Sequence, residues 1–315
     1  MSNFSTTTST KKAAQGSKHL VQARQGRNDE FYTHFADIQT ECDHYAKFFR
    51  NKRILCPCDG TESNFLKYFA DNFDKFGLAS LTAIGFNPHG RGFQYVKYPG
   101  APPQTSTLLL TGDFRSPEGC QALRQADIVV TNPPFSMLRS FFESILQYKK
   151  QFLLLGNLST IMTKDIQHFV QNGQVRFGYF GCNVMEFTLS EQYQECQRSK
   201  VNPDGTITKF AKVSSICWAT NLPVDKSLGH NLTVDYDPEE HKKYDGRADI
   251  DLIEVPELRM IPKNYYGIMS VPISFVLKWD PQQFDILGFS NGDFIRGNLS
   301  INGKNCFKRV FIKRC

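Results

Sequence analysis

The residues Asn132, Pro133, Pro134 and Phe135 directly follow the apolar run 127–131, and their types suit chemistry on an amine nitrogen. An exocyclic amine on a heteroaromatic ring is a weak nucleophile, because its lone pair is delocalised into the ring. The amide oxygen of Asn132 and the backbone carbonyl of Pro133 are acceptors that together can take both amine hydrogens. The prolines fix φ and remove competing donors, and Phe135 offers a flat face to a base that has left its stack. The pattern favours methyl transfer to an amine nitrogen.

An isolated Asn-Pro-Pro-Phe could equally be the end of a strand with a core phenylalanine, so the surrounding pattern has to decide. Short apolar runs alternate with segments of helical spacing such as 65–76 and 138–145. This alternation predicts a mostly parallel, doubly wound α/β sheet with helices on both faces. The predicted strands are 54–58, 81–86, 107–110, 127–131 and 152–155.

Polar residues follow four of these predicted strands, and they are Asp59, Asn87, Asp113 and Asn132. Ligands of open α/β sheets bind outside the carboxyl ends of the strands. The sequence therefore places these four side chains together at one edge of the sheet.

From about residue 28 onward, the chain resembles the EcoRI-type adenine-specific DNA methyltransferases. The matching segments, in order, are 29–33 (DEFYT), 56–65 (CPCDGTESNF), 112–115 (GDFR), 131–135 (TNPPF), 152–157 (FLLLGN), 217–222 (CWATNL) and 269–275 (MSVPISF). The ordered set is far more specific than any one of its members. The resemblance implies a Rossmann-like S-adenosylmethionine-dependent methyltransferase fold that methylates N6 of a flipped adenine in double-stranded DNA. It also implies that Asn132, Pro133, Pro134 and Phe135 are the catalytic residues.

The resemblance further implies which residues bind the cofactor, S-adenosyl-L-methionine. Thr33 is expected to hold the carboxylate of the cofactor, with Phe31 and Tyr32 packed nearby. Asp59 is expected to receive the ammonium group of the cofactor. An alternative role for Asp59 is the N-cap of the following helix, which Asp fills well.

Asp113 and Phe114 are similar to the element that hydrogen-bonds and packs the cofactor adenine. Two positions depart from the usual pattern of such folds. The glycine-rich loop after the first strand is reduced to Gly60, and Asn87 stands where an acidic residue usually binds the ribose hydroxyls. An amide can hydrogen-bond a hydroxyl only without charge assistance, so we expect modest cofactor affinity.

Composition predicts three regions. Residues 1–28 form a disordered basic tail rich in Ser and Thr, and 29–222 form the methyltransferase domain. Residues 223–315 form a β-rich target-recognition region, in which Gly and Asn interrupt short β-like runs. The turn-rich loop 298–304 is long enough to reach a groove of DNA. The alternative for this region is a structural cap on the sheet.

The net charge of +6 is concentrated at the two ends of the chain. Residues 1–28 carry five of the 37 basic residues and 296–315 carry six, and neither segment contains an acid. The 26 basic residues between them face 31 acidic ones. Basic ends on an enzyme core fit phosphate contacts and favour nucleic acid as the partner, although such tails often serve solubility alone. The resemblance implies that this nucleic acid is double-stranded DNA.

The remaining composition predicts a cytoplasmic protein, nucleoid-associated when bound to DNA. No run of about 18 apolar residues suggests a membrane span, and the first residues lack a signal-peptide pattern. The nine cysteines include several in predicted strands, which favours reduced thiols. Cys56 and Cys58 are the only close pair, so no metal site is expected.

Two other functions stay open at this level. The same motif suits another planar amine, in RNA or in protein, and the short loop at Gly60 also allows a DNA-binding relative with weakened catalysis. The resemblance favours site-specific adenine methylation by a monomer. Such an enzyme is either the modification arm of a restriction-modification system, alongside a cognate endonuclease, or an orphan methylase. The recognised base sequence does not follow from the residues.

Overall fold

The computed structural model describes residues 31–189, 196–247, 249–295, 299–306 and 308–315. The chain divides into two compact units, and the second consists of Met162–Phe177 and Pro223–Cys315. The first unit comprises the residues up to Ile161 together with Gly178–Leu222. The predicted tail 1–28, the start of the DEFYT segment and residues 296–298 lie outside the described residues.

The first unit is built on one large sheet with helices between its strands. Its strands are β1 (Phe31–Thr33), β2 (Arg53–Cys56), β3 (Ser80–Gly85), β4 (Phe93–Lys97), β5 (Gln104–Thr107), β6 (Ile128–Thr131), β7 (Gln151–Asn157), β8 (Arg176–Leu189), β9 (Arg198–Val201) and β10 (Ile207–Thr220). Its helices are α1 (Phe35–Cys42), α2 (Ala46–Phe49), α3 (Asn64–Asp71), α4 (Phe73–Phe76), α5 (Pro117–Gln125), α6 (Leu138–Gln147) and α7 (Leu158–Ile161).

The strand order in this sheet is β1-β8-β10-β7-β6-β2-β3-β4-β5, with β9 paired to β10. Neighbouring strands among β7, β6, β2 and β3 are parallel. The prediction of parallel strands is confirmed for these four. Antiparallel pairs flank them, β10 on β7 and β4 on β3, followed by β5 on β4. The sheet is therefore mixed, and "mostly parallel" is wrong for the sheet as a whole.

The predicted strand 107–110 is also wrong. The structure ends β5 at Thr107, and the side chains of Leu109 and Leu110 are exposed. The backbone N–H groups of these two leucines donate to the carboxylate of Glu118, at 2.8 and 3.1 Å. Because those donors are used by the first turn of α5, they are not available to pair with a neighbouring strand.

Buried apolar side chains explain the position of the central strands. Every residue of β6 is buried, as are the last three residues of β2. Helix α6 buries the stripe that its sequence predicted, Leu138, Phe141, Phe142 and Ile145. Helix α3 starts at an N-cap, Ser63, whose hydroxyl accepts from the backbone N–H of Phe65.

The chain reverses its direction of travel across the sheet between β2 and β6. From β2 it proceeds to β3 on one side, and later from β6 to β7 on the other. In open α/β sheets, ligands bind outside the carboxyl ends of the strands at such a switch point. The carboxyl ends of β2 and β6 are therefore where a ligand is expected.

The second unit contains a four-stranded sheet in the order β11-β12-β16-β13 and a small β14–β15 hairpin. These strands are β11 (Leu252–Glu254), β12 (Ile268–Pro272), β13 (Phe284–Phe289), β14 (Ser300–Ile301), β15 (Lys304–Asn305) and β16 (Arg309–Arg314). Helix α8 (Gln167–Gln171) belongs to this unit, and Gln171 donates to the carbonyl of Ile286 on β13 at 2.8 Å. This contact explains why 162–177, assigned to the first domain from sequence, groups with the second unit.

Two other classes of site have no counterpart among the described residues. No helix in this part of the chain is long and apolar enough to cross a membrane. Within the same residues, no three His, Cys, Asp or Glu side chains are grouped to hold a metal ion.

Candidate active site

The candidate site lies at the switch point of the large sheet. Asp59 follows β2, and Asn132 follows β6. The hydroxyl of Thr131, the last residue of β6, donates to the carboxylate of Asp59 at 2.6 Å. This hydrogen bond joins the ends of the two strands and brings two predicted site residues together.

The side-chain amide of Asn132 is held in one orientation by β1. Its Nδ2 donates to the carbonyl of Phe31 at 2.8 Å and to the hydroxyl of Thr33 at 3.3 Å. Its Oδ1 is buried and has no hydrogen-bond partner among the described residues. With both amide hydrogens engaged, what remains for a ligand is an acceptor, and a buried acceptor without a donor costs about 1–3 kcal/mol. A ligand that presents an N–H group to Oδ1 removes that cost.

Strand β1 is fixed by pairing with β8 and by a hydrogen bond from α3. It pairs antiparallel with β8, with Thr33 opposite Phe187. The carbonyl of Thr33 accepts from Nδ2 of Asn64 at 2.8 Å, at the start of α3. Thr33 is buried, and a hydroxyl that accepts one hydrogen bond can still donate one. The residue predicted to bind the cofactor carboxylate thus also orients the side-chain amide of Asn132, which is predicted to be catalytic.

Asp59 is buried, and only hydroxyl and backbone groups surround its carboxylate. Ser63 donates to it at 2.5 Å and Thr131 at 2.6 Å, on different oxygens. No ion pair joins it to a described basic side chain, and burial raises the pKa of Asp59 to about 6, although these hydrogen bonds lower it. The alternative role as N-cap is wrong, because Ser63 caps α3. A buried carboxylate without a cation fits the ammonium group of the predicted cofactor.

Phe135 is packed away from solvent in an aromatic cluster. Its ring centroid lies 5.3 Å from that of Phe31 and 6.0 Å from that of Phe187. The side chain of Phe135 is buried. In this structure the ring supports β1, and the flat face predicted for a base is covered. Tyr32, on the opposite side of β1, is partly exposed.

The two prolines of the motif lead into α6. Pro133 is buried, and the carbonyl of Pro134 accepts from the backbone N–H of Met137 at 2.8 Å. That turn fixes the segment immediately after Asn132.

Asp113 and Phe114 follow the loop after β5 and precede α5. The carboxylate of Asp113 is paired with the guanidinium of Arg115 at 2.6 Å, and this pairing lowers the pKa of Asp113. Phe114 is buried with its ring 4.8 Å from that of Phe141. Both predicted adenine contacts are therefore engaged within the protein.

Asn87 lies two residues beyond β3, with its amide turned onto its own loop. Nδ2 donates to the carbonyl of Arg91 at 3.2 Å, and Oδ1 accepts from the backbone N–H of His89 at 3.0 Å. The amide groups predicted to reach the ribose hydroxyls are thus used to close the turn.

Close backbone approach near this loop depends on glycines that the sequence-based reasoning missed. A Cβ on Gly85, at the end of β3, would lie 2.8 Å from the Cα of Gly60. Gly112 has φ +78°, and its Cβ would lie 2.5 Å from the carbonyl oxygen of Gly85. A Cβ on Gly92 would lie 2.7 Å from the backbone of Gly112. The predicted Gly60 is one member of this group, and a Cβ there meets nothing within 4 Å.

Thr131 and Ser63 were missed as well, and both had a signal in the sequence. Thr131 is a polar residue closing an otherwise apolar strand, and Ser63 precedes a run of helical apolar spacing in the manner of an N-cap. Phe187 had no such signal, because its role depends on the pairing of β1 with β8.

Comparison with known proteins identifies relatives over almost the whole chain. The family model described as adenine-specific methyltransferase EcoRI matches residues 19–101 and 102–313. The Type II methyltransferase M.EcoRI of Escherichia coli is 34% identical over 320 residues, covering 94% of this chain and 96% of the relative.

Two mycoplasma proteins are similar to the chain to the same degree. M.MpnI of Mycoplasma pneumoniae, a Type II methyltransferase, is 33% identical over 318 residues. M.MgeORF184P of Mycoplasma genitalium, also a Type II methyltransferase, is 31% identical over 319 residues. Each alignment covers 94% of this chain and 98% of the relative. No solved structure matches the chain significantly.

Proposed function

The chain belongs to the EcoRI family of adenine-specific methyltransferases, and from that premise we propose its reaction in detail. It transfers the methyl group of S-adenosyl-L-methionine to the N6 amine of an adenine at a specific site in double-stranded DNA. Because a stacked and paired adenine keeps its amine inside the duplex, the target base is flipped out before transfer.

The observation that carries this proposal is the orientation of Asn132. Its two amide hydrogens are bound by Phe31 and Thr33, and its Oδ1 is buried without a donor. Oδ1 accepts one hydrogen of the adenine amine, and the carbonyl of Pro133 accepts the other. Holding both hydrogens draws the nitrogen toward a pyramidal geometry, in which its lone pair is available for attack.

Asp59 and Thr33 hold the amino acid end of the cofactor in this proposal. The buried carboxylate of Asp59 receives the ammonium group, and the hydroxyl of Thr33 donates to the carboxylate group. When bound, S-adenosyl-L-methionine supplies an electrophilic methyl group on its sulfonium sulfur. Because one residue, Thr33, contacts both Asn132 and this cofactor group, β1 aligns the nucleophile with the cofactor.

The other predicted cofactor and base contacts include residues that must first exchange a contact within the protein for a contact with the ligand. Arg115 donates to both carboxylate oxygens of Asp113, so Asp113 reaches the cofactor adenine only if that guanidinium shifts. Asn87 reaches a ribose hydroxyl only by opening its turn. Phe31, Tyr32 and Phe114 provide packing around the cofactor, and Gly60 lets the backbone approach it. The covered ring of Phe135 stacks on the flipped base only if Phe31 or Phe187 shifts.

Proton removal requires no dedicated base in this mechanism. The nitrogen becomes strongly acidic once it is methylated, so its proton leaves to water after transfer. Alignment of the two reacting atoms then supplies most of the rate enhancement. No metal ion takes part.

We assign target recognition to residues 223–315, which belong to the second unit, and phosphate contacts to the basic tail 1–28. The protein acts as a cytoplasmic monomer, nucleoid-associated while on DNA. It serves either beside a cognate restriction endonuclease or as an orphan methylase.

The test is methyl transfer by wild type and by Asn132→Ala, using labelled S-adenosyl-L-methionine with duplex DNA, RNA and protein as acceptors. We expect label in DNA adenine for wild type, and a loss of about 10² to 10³ in rate for the variant with cofactor and DNA binding retained. Asn72→Ala is the control, since that amide donates to the Tyr68 carbonyl between α3 and α4. Label in RNA or protein would overturn the substrate, and near-normal turnover of Asn132→Ala would overturn the mechanism.

A further inference from the structure

A short hairpin extends the large sheet beside the candidate site. It consists of β9 and the first residues of β10, 197–212, and β9 pairs with β10 alone within the described sheet. Its turn is held by hydrogen bonds from the backbone N–H of Asn202 to the carbonyl of Thr206, 2.8 Å, and from the Thr206 hydroxyl to Asp204, 2.7 Å. The amide of Asn202 also donates to Thr208 at 2.9 Å. The turn is therefore well defined by its own side chains.

The tip of this hairpin presents two β-branched aliphatic side chains to solvent. Val201 and Ile207 are directly opposite each other in the register. Their side chains are 68% and 57% exposed. Adjacent exposed apolar residues on an ordered edge favour aggregation. Their presence at this tip is therefore best explained by a binding partner that covers them during function.

The charge of the hairpin indicates what that surface is. Residues 197–212 contain four basic side chains, Arg198, Lys200, Lys209 and Lys212, and one acidic side chain, Asp204. Arg198 is fixed by Glu186 at 2.6 Å and lies over the ring of Phe210 at 4.3 Å. An apolar tip between cations suits a polyanion that also exposes apolar edges, as DNA does.

The root of the hairpin contacts the segment that orients Asn132. The ring of Phe210 meets that of His34 edge-on at 6.2 Å, and His34 directly follows Thr33. From Phe210 to Ile207 the strand advances three residues, or about 10 Å at roughly 3.3 Å per residue. A duplex that presents a base to Asn132 therefore passes within reach of the tip.

We propose that this hairpin enters the major groove next to the target adenine. The major groove is about 12 Å wide and admits a two-stranded β-ribbon, whereas the undistorted minor groove is only about 6 Å wide. The side chains of Val201 and Ile207 contact base edges, where the thymine methyl is the apolar group, and Lys200 contacts a phosphate. The inference rests on the proposed function, because it assumes a duplex at the site.

The experiment compares DNA binding and methylation by Val201→Thr/Ile207→Thr with those of wild type. The probe is a short fluorescent duplex that contains the site which wild type methylates in plasmid DNA. We expect about fourfold weaker binding for each methyl-sized group withdrawn from a buried contact, hence about tenfold or more for both. Replacing the thymines beside the target by uracil removes their methyl groups, and this should weaken DNA binding by wild type more than DNA binding by the variant. Val184→Thr is the control, an exposed valine of β8 outside the hairpin.

A second variant separates charge from apolar contact. Lys200→Gln should reduce the slope of log affinity against log salt by about 0.9, on matched and unmatched duplexes alike. Lys75→Gln on α4, outside the hairpin, should leave the slope unchanged.

Three results would count against the inference. Unchanged affinity, salt slope and methylation in both hairpin variants, with an active wild type, would overturn it while the proposed function stands. A change in oligomeric state of Val201→Thr/Ile207→Thr without DNA would assign the tip to a second copy of the chain. Absence of DNA methylation by wild type would overturn the proposed function itself and the inference with it.

Discussion

Replacing Asp59 by Asn should stabilise the fold and weaken cofactor binding, two effects of opposite sign. Burial raises the pKa of Asp59 to about 6, from an ordinary value of 3.8. At roughly 1.4 kcal/mol per unit, ionising this carboxyl in the folded protein costs about 3 kcal/mol at neutral pH. The cost is absent below the unfolded pKa, grows as the pH rises from 3.8 to about 6, and is fully present above that. The fold without cofactor is thus destabilised at neutral pH by a charge that has no cation nearby.

Cofactor binding makes the ionised form of Asp59 favourable, whereas in the protein without cofactor it is unfavourable. An ammonium group beside Asp59 favours the ionised carboxylate, so cofactor affinity should fall about tenfold per pH unit below pH 6, the pKa of the free site. A hydrogen bond to a charged group is worth about 1.5–3 kcal/mol. Asp59→Asn should therefore bind S-adenosyl-L-methionine about 10- to 150-fold more weakly, and the dependence on pH near 6 should disappear.

The assays are urea unfolding at neutral pH and calorimetric titration with S-adenosyl-L-methionine across the range of pH. Asn keeps the size of Asp59, and the hydroxyls of Ser63 and Thr131 can rotate to accept from its amide. We expect the free energy of unfolding to rise by about 1–3 kcal/mol.

Asp127→Asn is the matched control for this prediction. Its carboxylate is partly exposed and paired with Arg53 at 2.6 Å, which lowers the pKa of Asp127. That variant should lose about 1 kcal/mol or less of stability and keep its cofactor affinity. If Asp59→Asn is less stable than wild type and binds the cofactor normally, Asp59 is a structural residue and the reasoning is refuted.

Three further outcomes can be checked on single variants. Gly112→Ala should lower the free energy of unfolding in urea by at least about 1–3 kcal/mol, since its φ is +78° and its Cβ would meet Gly85. The control Gly100→Ala, at φ +71° with nothing within 4 Å of its Cβ, should lower it less. Equal losses in the two variants would show that the close approach of Gly112 to Gly85 is unimportant. Thr33→Val should lower turnover by about tenfold, the worth of one hydrogen bond, while Thr33→Ser restores it; a normal rate in Thr33→Val would contradict the role of the hydroxyl. Deleting residues 2–27 removes five cations and should reduce the salt slope of DNA binding by about 2 to 3, with the methylated sequence unchanged in sequencing of modified DNA.

The parallel centre of the fold followed from local patterns, whereas its flanks did not. Strands β2, β3, β6 and β7 are apolar runs buried on both faces, and such runs are visible without partners. Strands β4 and β5 have no fully buried residue. Their sequences carry no buried apolar run, so they are strands only through pairing, β4 with β3 and β5 with β4. The strand predicted at 107–110 was wrong because Leu109 and Leu110 are exposed and their backbone N–H groups donate to Glu118, whereas Leu108 alone is buried.

The chemistry of the site was predictable to the extent that it resides in residue types. An amide and a carboxylate after two parallel strands were found because the carboxyl ends of such strands meet at one edge. Which groups they contact could not be found in this way. Asp113 pairs with its near neighbour Arg115, and Asn87 with the backbone of its own loop. Those neighbouring groups compete with a ligand for the same side chain, and residue type alone does not determine which of the two the side chain binds.

The orientation of Asn132 shows why the motif and the DEFYT segment belong to one site. A side-chain amide can rotate to exchange its oxygen and nitrogen, and only one of the two orientations accepts from an amine. The carbonyl of Phe31, 101 residues away in the chain, receives a hydrogen bond from Nδ2 and so excludes the other orientation. Phe31 is held in turn by Phe135, three residues after Asn132, through ring packing at 5.3 Å. A change at Phe135 therefore acts on the amide by way of β1, and Phe135→Leu should lower turnover even if its ring never touches the base.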